Sequence, residues 1–171
     1  MYARFRGQRV PTLQEVLSWA RGRISLVIEI KGDPHFAPEL GEELVDAVEQ
    51  YGMQDSVAII SFHHPVAKHV KALAPELATG IICTGRLADP VGAARAANAD
   101  YLWPQWSYWT REDVETVHGA GLVAHAWNAD AKGRMERNRP DGRRPCRAST
   151  AFAGRPLSDR HRGRLRADLR G

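Results

Sequence analysis

Disulfide scaffolds, membrane-spanning helices and glycine-rich nucleotide loops are missing from this sequence, and each absence removes a class of protein. The two cysteines, Cys83 and Cys146, are too few for a disulfide framework and lack metal-ligand spacing. Cys83 stands in an apolar run and reads as a small buried hydrophobe. No run of about 18 apolar residues occurs, which excludes a transmembrane helix. The opening Met1-Tyr-Ala-Arg-Phe-Arg-Gly7 holds no apolar signal core, so the expected compartment is the cytoplasm unless further sequence lies upstream. Neither a GxGxxG nor a GxxxxGK loop follows a strand, which weakens a nucleotide-binding reading. At 171 residues the chain can build one domain with a real core. It is short for a complete (β/α)₈ barrel, which needs roughly 250 residues.

What is present divides in two. Residues 1–132 hold 12 Lys/Arg against 16 Asp/Glu, a balance of −4, whereas residues 133–171 hold 12 Arg against 4 acidic residues, a balance of +8. The net charge of +4 averages these unlike segments. An asymmetry this sharp predicts a domain over 1–132 and a basic tail over 133–171.

The first segment alternates strand and helix signals. Thr12-Leu-Gln-Glu15 is a capping box, followed by Leu13, Val16, Leu17 and Ala20 at helical spacing, with Gly22 as a stop. Ile24 to Lys31 is a β-rich run closed by Gly32-Asp33-Pro34. Leu40, Leu44, Val48 and Tyr51 form the next helical stripe, and Val57 to Phe62 reads as a buried strand. Val66, His69, Val70 and Leu73 predict a helix, Ala78 to Cys83 a strand, and Pro90 to Ala97 an Ala-rich helix. Asp100 to Pro104 is a short strand; Thr110 opens a capped helix carrying Val114, Val117 and His118; Leu122 to Trp127 is the last strand. Strands separated by helices imply parallel βαβ units with right-handed crossovers. Near-continuous apolar strands fit a sheet covered on both faces, and either an open doubly wound sheet or a barrel satisfies that pattern.

The chemistry concentrates in Leu26-Val-Ile-Glu-Ile-Lys31. Strand alternation puts Val27, Glu29 and Lys31 on one face and Ile28 and Ile30 on the other. Two charges therefore project together from the end of an apolar strand, where burying them unpaired would cost several kcal/mol per ion. A structural Glu–Lys plug of a barrel mouth would explain them. A functional site explains them better, because barrel active sites are built at the C-terminal ends of strands. A carboxylate there suits a hard divalent cation, and an ammonium suits a phosphate oxygen.

Arg9-Val-Pro-Thr-Leu-Gln-Glu-Val-Leu17, Ile28-Glu-Ile-Lys31, Ile60-Ser-Phe62 and Ala120-Gly-Leu-Val-Ala-His-Ala-Trp127 resemble, in order and spacing, the second half of the glycerophosphodiester phosphodiesterase family. The resemblance spans about residues 8–132 and implies a partial TIM-type (β/α)₈ barrel with parallel strands. Members of that family serve lipid metabolism, using a divalent cation, Ca²⁺ or Mg²⁺, to hydrolyse glycerophosphodiesters to an alcohol and glycerol 3-phosphate. The resemblance implies that Glu29 is a metal ligand, that Lys31 lies near the substrate phosphate, that Trp127 contacts the glycerol end and that Phe62 stands beside the pocket. For Trp127 and Phe62, plain core packing is the competing account. The family's opening His-Arg-Gly, its Glu-x-Asp pair and its His-Asp fall upstream of the matched region. They carry the general acid and base histidines and most metal ligands, so no catalytic residue is assigned here. Weak or absent cation binding and no hydrolysis by this chain alone are expected. His63, His64 and His125 are read as bystanders, and His161-Arg-Gly163 as a chance match in an Arg-rich run.

The family's closing Gly-Val-Asp-Gly strand and Thr-Asp-Arg-Pro turn should follow Met135-Glu-Arg137 and do not. A reading-frame slip near Arg137 accounts for this, because CGN arginine codons shifted by one base read GNC, which encodes Val, Ala, Asp or Gly. Either way the tail is expected to be disordered or irregular. The rival reading is a non-catalytic, nucleic-acid-binding protein that uses this arm; with Phe152 as the tail's one aromatic, base stacking is poorly provided for. A third is another metal-dependent barrel enzyme sharing only the Glu29–Lys31 pair. An arc of strands without closure would leave apolar edges exposed and favour self-association.

Overall fold

The computed structural model of the chain describes residues 6–31 and 38–127. The Gly32-Asp33-Pro34 turn, Cys146, the Arg-rich segment 133–171 with Phe152, the proposed slip near Arg137 and His161-Arg-Gly163 lie outside the described residues. The order of elements is α1 (Leu13–Ala20), β1 (Leu26–Glu29), α2 (Pro38–Gln50), β2 (Val57–Ser61), α3 (His64–Leu73), β3 (Ala78–Cys83), α4 (Pro90–Ala96), β4 (Tyr101–Pro104), α5 (Arg111–Gly119) and β5 (Val123–Ala124).

The five strands form one parallel sheet in the order β1-β2-β3-β4-β5. This order decides between the two architectures that periodicity left open. Right-handed crossovers that always step in the same direction put every helix on one face of the sheet, whereas a doubly wound sheet must reverse. Packing agrees. Ile28, Ile30, Val57 and Ile59 join the core under α1, α2 and α3, and Ile81, Leu102 and Ala124 join the core under α3, α4 and α5. The alternate residues, Val27, Ala58, Ile60, Ala78, Ile82, Tyr101, Trp103, Val123 and Trp127, form a separate cluster on the other face. One face is thus a helical shell and the other a lining of strand side chains, the layering of a (β/α) barrel arc.

The arc is curled. Phe62, just past β2, and Trp127, just past β5, meet edge-to-face with ring centroids 5.7 Å apart. Three strand spacings on a flat sheet would separate those strands by roughly 14 Å. Burial tracks position: β2, β3 and β4 are buried throughout, while edge strand β1 is half-buried at all four residues.

Local signals explain the helix starts. The Thr12 hydroxyl accepts from the Glu15 amide while the Glu15 carboxylate accepts from the Thr12 amide. The Arg9 side chain also binds Glu15, and that side-chain bond, with the Thr12 amide, holds the exposed carboxyl down at about 2. Thr110 and Asp113 repeat the box at α5. Burial pushes the Asp113 carboxyl up, but the Thr110 amide, the Arg86 guanidinium and the Thr110 hydroxyl together hold it below its ordinary value. Asp89 caps α4 by accepting from the Gly92 amide at 2.7 Å, and Pro65 opens α3.

Several details depart from the pattern read in the sequence. Gly22 takes φ +70°, and the Ile24 amide still donates to Ala20 O, so β1 begins at Leu26 and Ile24 is exposed. Strand β5 is two residues long, although the His125 and Trp127 amides continue bonding to Leu102 O and Pro104 O. Leu40, Leu73 and His118, read as helix stripe positions, are exposed. Cys83 is buried as expected, and burial pushes its thiol up to about 11, an inert state.

Candidate functional site

The chemistry-bearing residues gather at the C-terminal rim of the strands. Glu29 pairs in register with Ile60 and follows Val27 on the lining face, so its carboxylate belongs to the inside of the arc. The ladder runs one residue past β1, the Ile30 amide donating to Ile60 O at 2.9 Å, while Ile30 itself packs under the helices. Lys31 therefore falls on Glu29's side, and its Nζ donates to Glu29 Oε1 at 3.0 Å. The lysine side chain is 80% exposed and the glutamate 27%. The pair is open to solvent at the rim rather than plugged into a core.

Ser61 fastens this region. Its hydroxyl donates to Ile30 O at 2.9 Å and accepts from the His63 amide at 3.0 Å, tying the end of β1 to the turn that carries Phe62. Phe62 is 44% exposed and lies edge-on to Trp127, which is half-buried. The Trp127 indole donates from Nε1 to Trp103 O at 2.8 Å. The arrangement brings Glu29 with Lys31, and Phe62 with Trp127, in two pairs on one rim.

The histidines separate. His63 is half-buried at the N-cap of α3 and makes no side-chain capping bond. His64 Nε2 lies 3.1 Å from Ile82 O, linking the first turn of α3 to the end of β3. His125 is buried on the lining face, stacked on Trp103 at 4.9 Å and tilted against Tyr101 at 5.5 Å. It is a packed ring beneath the rim.

The donor set does not fit a complete divalent-cation site. Ca²⁺ takes six to eight oxygens, typically several of them carboxylate. Among the described residues no group of three or more His, Cys, Asp or Glu side chains converges, and the charged neighbour of Glu29 is an ammonium.

Sequence reading missed the residues under the rim. Gly80 lies in the lining face, where a Cβ would come within 2.9 Å of Trp103 Cδ1, 3.0 Å of Trp103 Nε1 and 3.1 Å of Ile60 Cγ2. A glycine inside a strand marks a close approach, and that signal was available. It also missed a polar cluster at the opposite, N-terminal end of the strands. There Lys71 Nζ donates to Leu77 O at 2.6 Å and to Asp100 Oδ2 at 2.9 Å, and the Thr79 amide donates to the same oxygen at 2.9 Å.

The model of the glycerophosphoryl diester phosphodiesterase family matches residues 2–143. A glycerophosphodiester phosphodiesterase of Caldanaerobacter subterraneus subsp. tengcongensis is 34% identical over 135 residues, covering 78% of this chain and 56% of the relative. A candidate glycerophosphodiester phosphodiesterase from Galdieria sulphuraria superposes with TM-score 0.69 at 26% identity, covering 77% of this chain and 57% of that one. An Oleispira antarctica phosphodiesterase in complex with the product sn-glycerol-3-phosphate shares the fold at TM-score 0.65 and 23% identity, covering 72% of this chain and 51% of that one. The chain thus spans little more than half the length of the proteins it matches. Among the described residues, no helix is long and apolar enough to cross a membrane.

Proposed function

The chain belongs to the glycerophosphoryl diester phosphodiesterase family, and we propose that its rim is part of a site for the glycerophosphate end of a glycerophosphodiester. In this reading the Lys31 ammonium neutralises a phosphate oxygen, and Glu29 gives one oxygen to a divalent cation, Ca²⁺ or Mg²⁺, completed by ligands from outside the described residues. Phe62 and Trp127 form the apolar wall against which the glycerol carbons rest. The observation that carries the proposal is the solvent-open Glu29–Lys31 pair, 3.0 Å apart on the lining face of the barrel arc. The Oleispira phosphodiesterase of the same fold binds sn-glycerol-3-phosphate as its product, which supports the choice of ligand.

Hydrolysis needs a general acid for the leaving oxygen and a base for the nucleophile. In this reading both roles are supplied from outside the described residues, and the chain alone is expected to bind rather than to turn over. The test is release of choline from glycerophosphocholine with Ca²⁺ or Mg²⁺, for this chain and for a fusion carrying the first part of the Caldanaerobacter relative ahead of it. The fusion should turn over, the isolated chain should not, and Glu29→Gln or Lys31→Ala in the fusion should reduce turnover at least about tenfold, the effect of losing a charge-assisted contact. Turnover by the isolated chain, or a folded fusion indifferent to both substitutions, rejects the proposal.

The same reading bears on assembly. Edge strand β1 is half-buried, and Ile24 and Trp19 ahead of it are 47% and 56% exposed. The isolated chain should self-associate through such edges as its concentration rises. A monodisperse, cooperatively melting monomer in sedimentation would contradict that.

A further inference from the structure

We infer that Gly80 is a positioning residue for the site, holding Trp103 where its backbone carbonyl fixes the direction of the Trp127 indole. The inference rests on the reading above for what Trp127 meets, and on geometry alone for how it is held. A tryptophan at a strand end can swing about two side-chain torsions, so a ring that must face a small polyol needs a restraint. Among the described residues Trp127 has at least two. Its ring meets that of Phe62 at a right angle, and its indole Nε1–H is donated to Trp103 O at 2.8 Å. The second restraint is directional, because the bond weakens steeply when the donor turns away.

That acceptor is set by what lies under and beside Trp103. The Trp103 ring is 4% exposed, and on the β5 side His125 stacks against it with an interplanar angle of 18°. On the β3 side the five-membered part of the indole occupies the space a Cβ at Gly80 would claim, within 2.9 Å of Cδ1 and 3.0 Å of Nε1. The position just C-terminal on β3, Ile81, pairs with Leu102, and Gly80 itself pairs with Tyr101, so backbone movement there passes directly into β4. Any side chain at residue 80 must shift the Trp103 ring, Ile60 or the strand itself. Gly80 does not touch the proposed ligand; it acts through Trp103 on Trp127.

The experiment is hydrogen exchange of the Trp127 indole proton in the ¹⁵N-labelled full chain, with its resonance identified by Trp127→Phe. The native proton should exchange more slowly than that of free tryptophan. Gly80→Ala should speed its exchange about three- to tenfold, the worth of one hydrogen bond. Gly85→Ala, where an added Cβ meets nothing within 4 Å, should leave it unchanged. In a Trp103→Val background, which keeps the carbonyl and removes the ring, Gly80→Ala should have no further effect. A structural role unconnected with the indole would slow or speed all amides together and would survive Trp103→Val. Free-tryptophan exchange in the native chain overturns the inference even if Gly80→Ala does not fold, and so does an unmoved indole proton in folded Gly80→Ala. Loss of sensitivity to Glu29→Gln in the fusion would sink the proposed site while leaving this restraint intact.

Discussion

Two lysine–carboxylate pairs of nearly equal length occupy opposite ends of the strands and have little else in common. Lys71 and Asp100, 2.9 Å apart, are each 13% exposed, and both also bond to backbone at the start of β3. Lys31 and Glu29, 3.0 Å apart, stand at the other end with the lysine 80% exposed and their mutual bond as the contact they share. Distance alone does not tell a fastener from a binding group. The buried pair is bonded further by the Leu77 carbonyl and the Thr79 amide, which offsets part of the cost of removing the charges from water. In the rim pair the lysine is largely in solvent and the glutamate is half-buried, which is what the proposed ligand role requires. In barrels the N-terminal face serves stability and the C-terminal face carries the active site, and these two pairs stand at those two ends.

Substitutions should separate the two ends in order of size. Asp100→Ala leaves the Lys71 ammonium and the Thr79 amide without their shared acceptor, and should lower unfolding stability in urea by about 3–5 kcal/mol. A loss under 1 kcal/mol there would erase the contrast. Thr110→Ala, which removes a capping hydroxyl near the rim, should cost about 1 kcal/mol in the same measurement, showing that the rim end also contains purely structural contacts. Glu29→Gln or Lys31→Ala should change stability by under about 1 kcal/mol while lowering turnover in the fusion at least about tenfold, and a stability loss as large as that of Asp100→Ala would make the rim pair a fastener after all. The smallest effect lies outside both ends. The folded Glu15 carboxyl sits at about 2 against an ordinary 4.5, so its contribution to α1 is present above about pH 4.5 and is lost as pH falls towards 2. Melting temperature against pH for the native chain and Glu15→Gln should converge across that window.

The sequence made the order of elements and the helix starts readable because both are local properties. Thr12 with Glu15, and Thr110 ahead of α5, announce themselves within four residues. Alternation in Leu26–Lys31 correctly put Glu29 and Lys31 on one face, but could not say what that face would meet. The strand order supplies that answer, and it depends on crossovers that no single window of sequence contains. The Lys71–Asp100 contact joins residues 29 positions apart and left no periodic trace. Leu40 and Leu73 satisfy the helical stripe yet are exposed, because periodicity identifies the side of a helix and not how far the sheet beneath extends. Gly80 shows a different limit. A glycine in a strand signals crowding, but the crowding partner, Trp103, arrives only when β3 and β4 come into register.

The neighbour-only strand order has a consequence for how such a chain can change length. Among the described residues each interior strand bonds to the one before it and the one after it in sequence, and a helix covers each join. A whole strand-and-helix increment can then be added or dropped at either border without rethreading any interior pairing, as with a stave in a cask. Three of the four rim residues sit at the two outermost staves of the arc, Glu29 at the end of β1, Lys31 just past it and Trp127 beyond β5. Gain or loss of one increment would thus redraw the rim while the Lys71–Asp100 contact between α3 and the start of β4 went undisturbed.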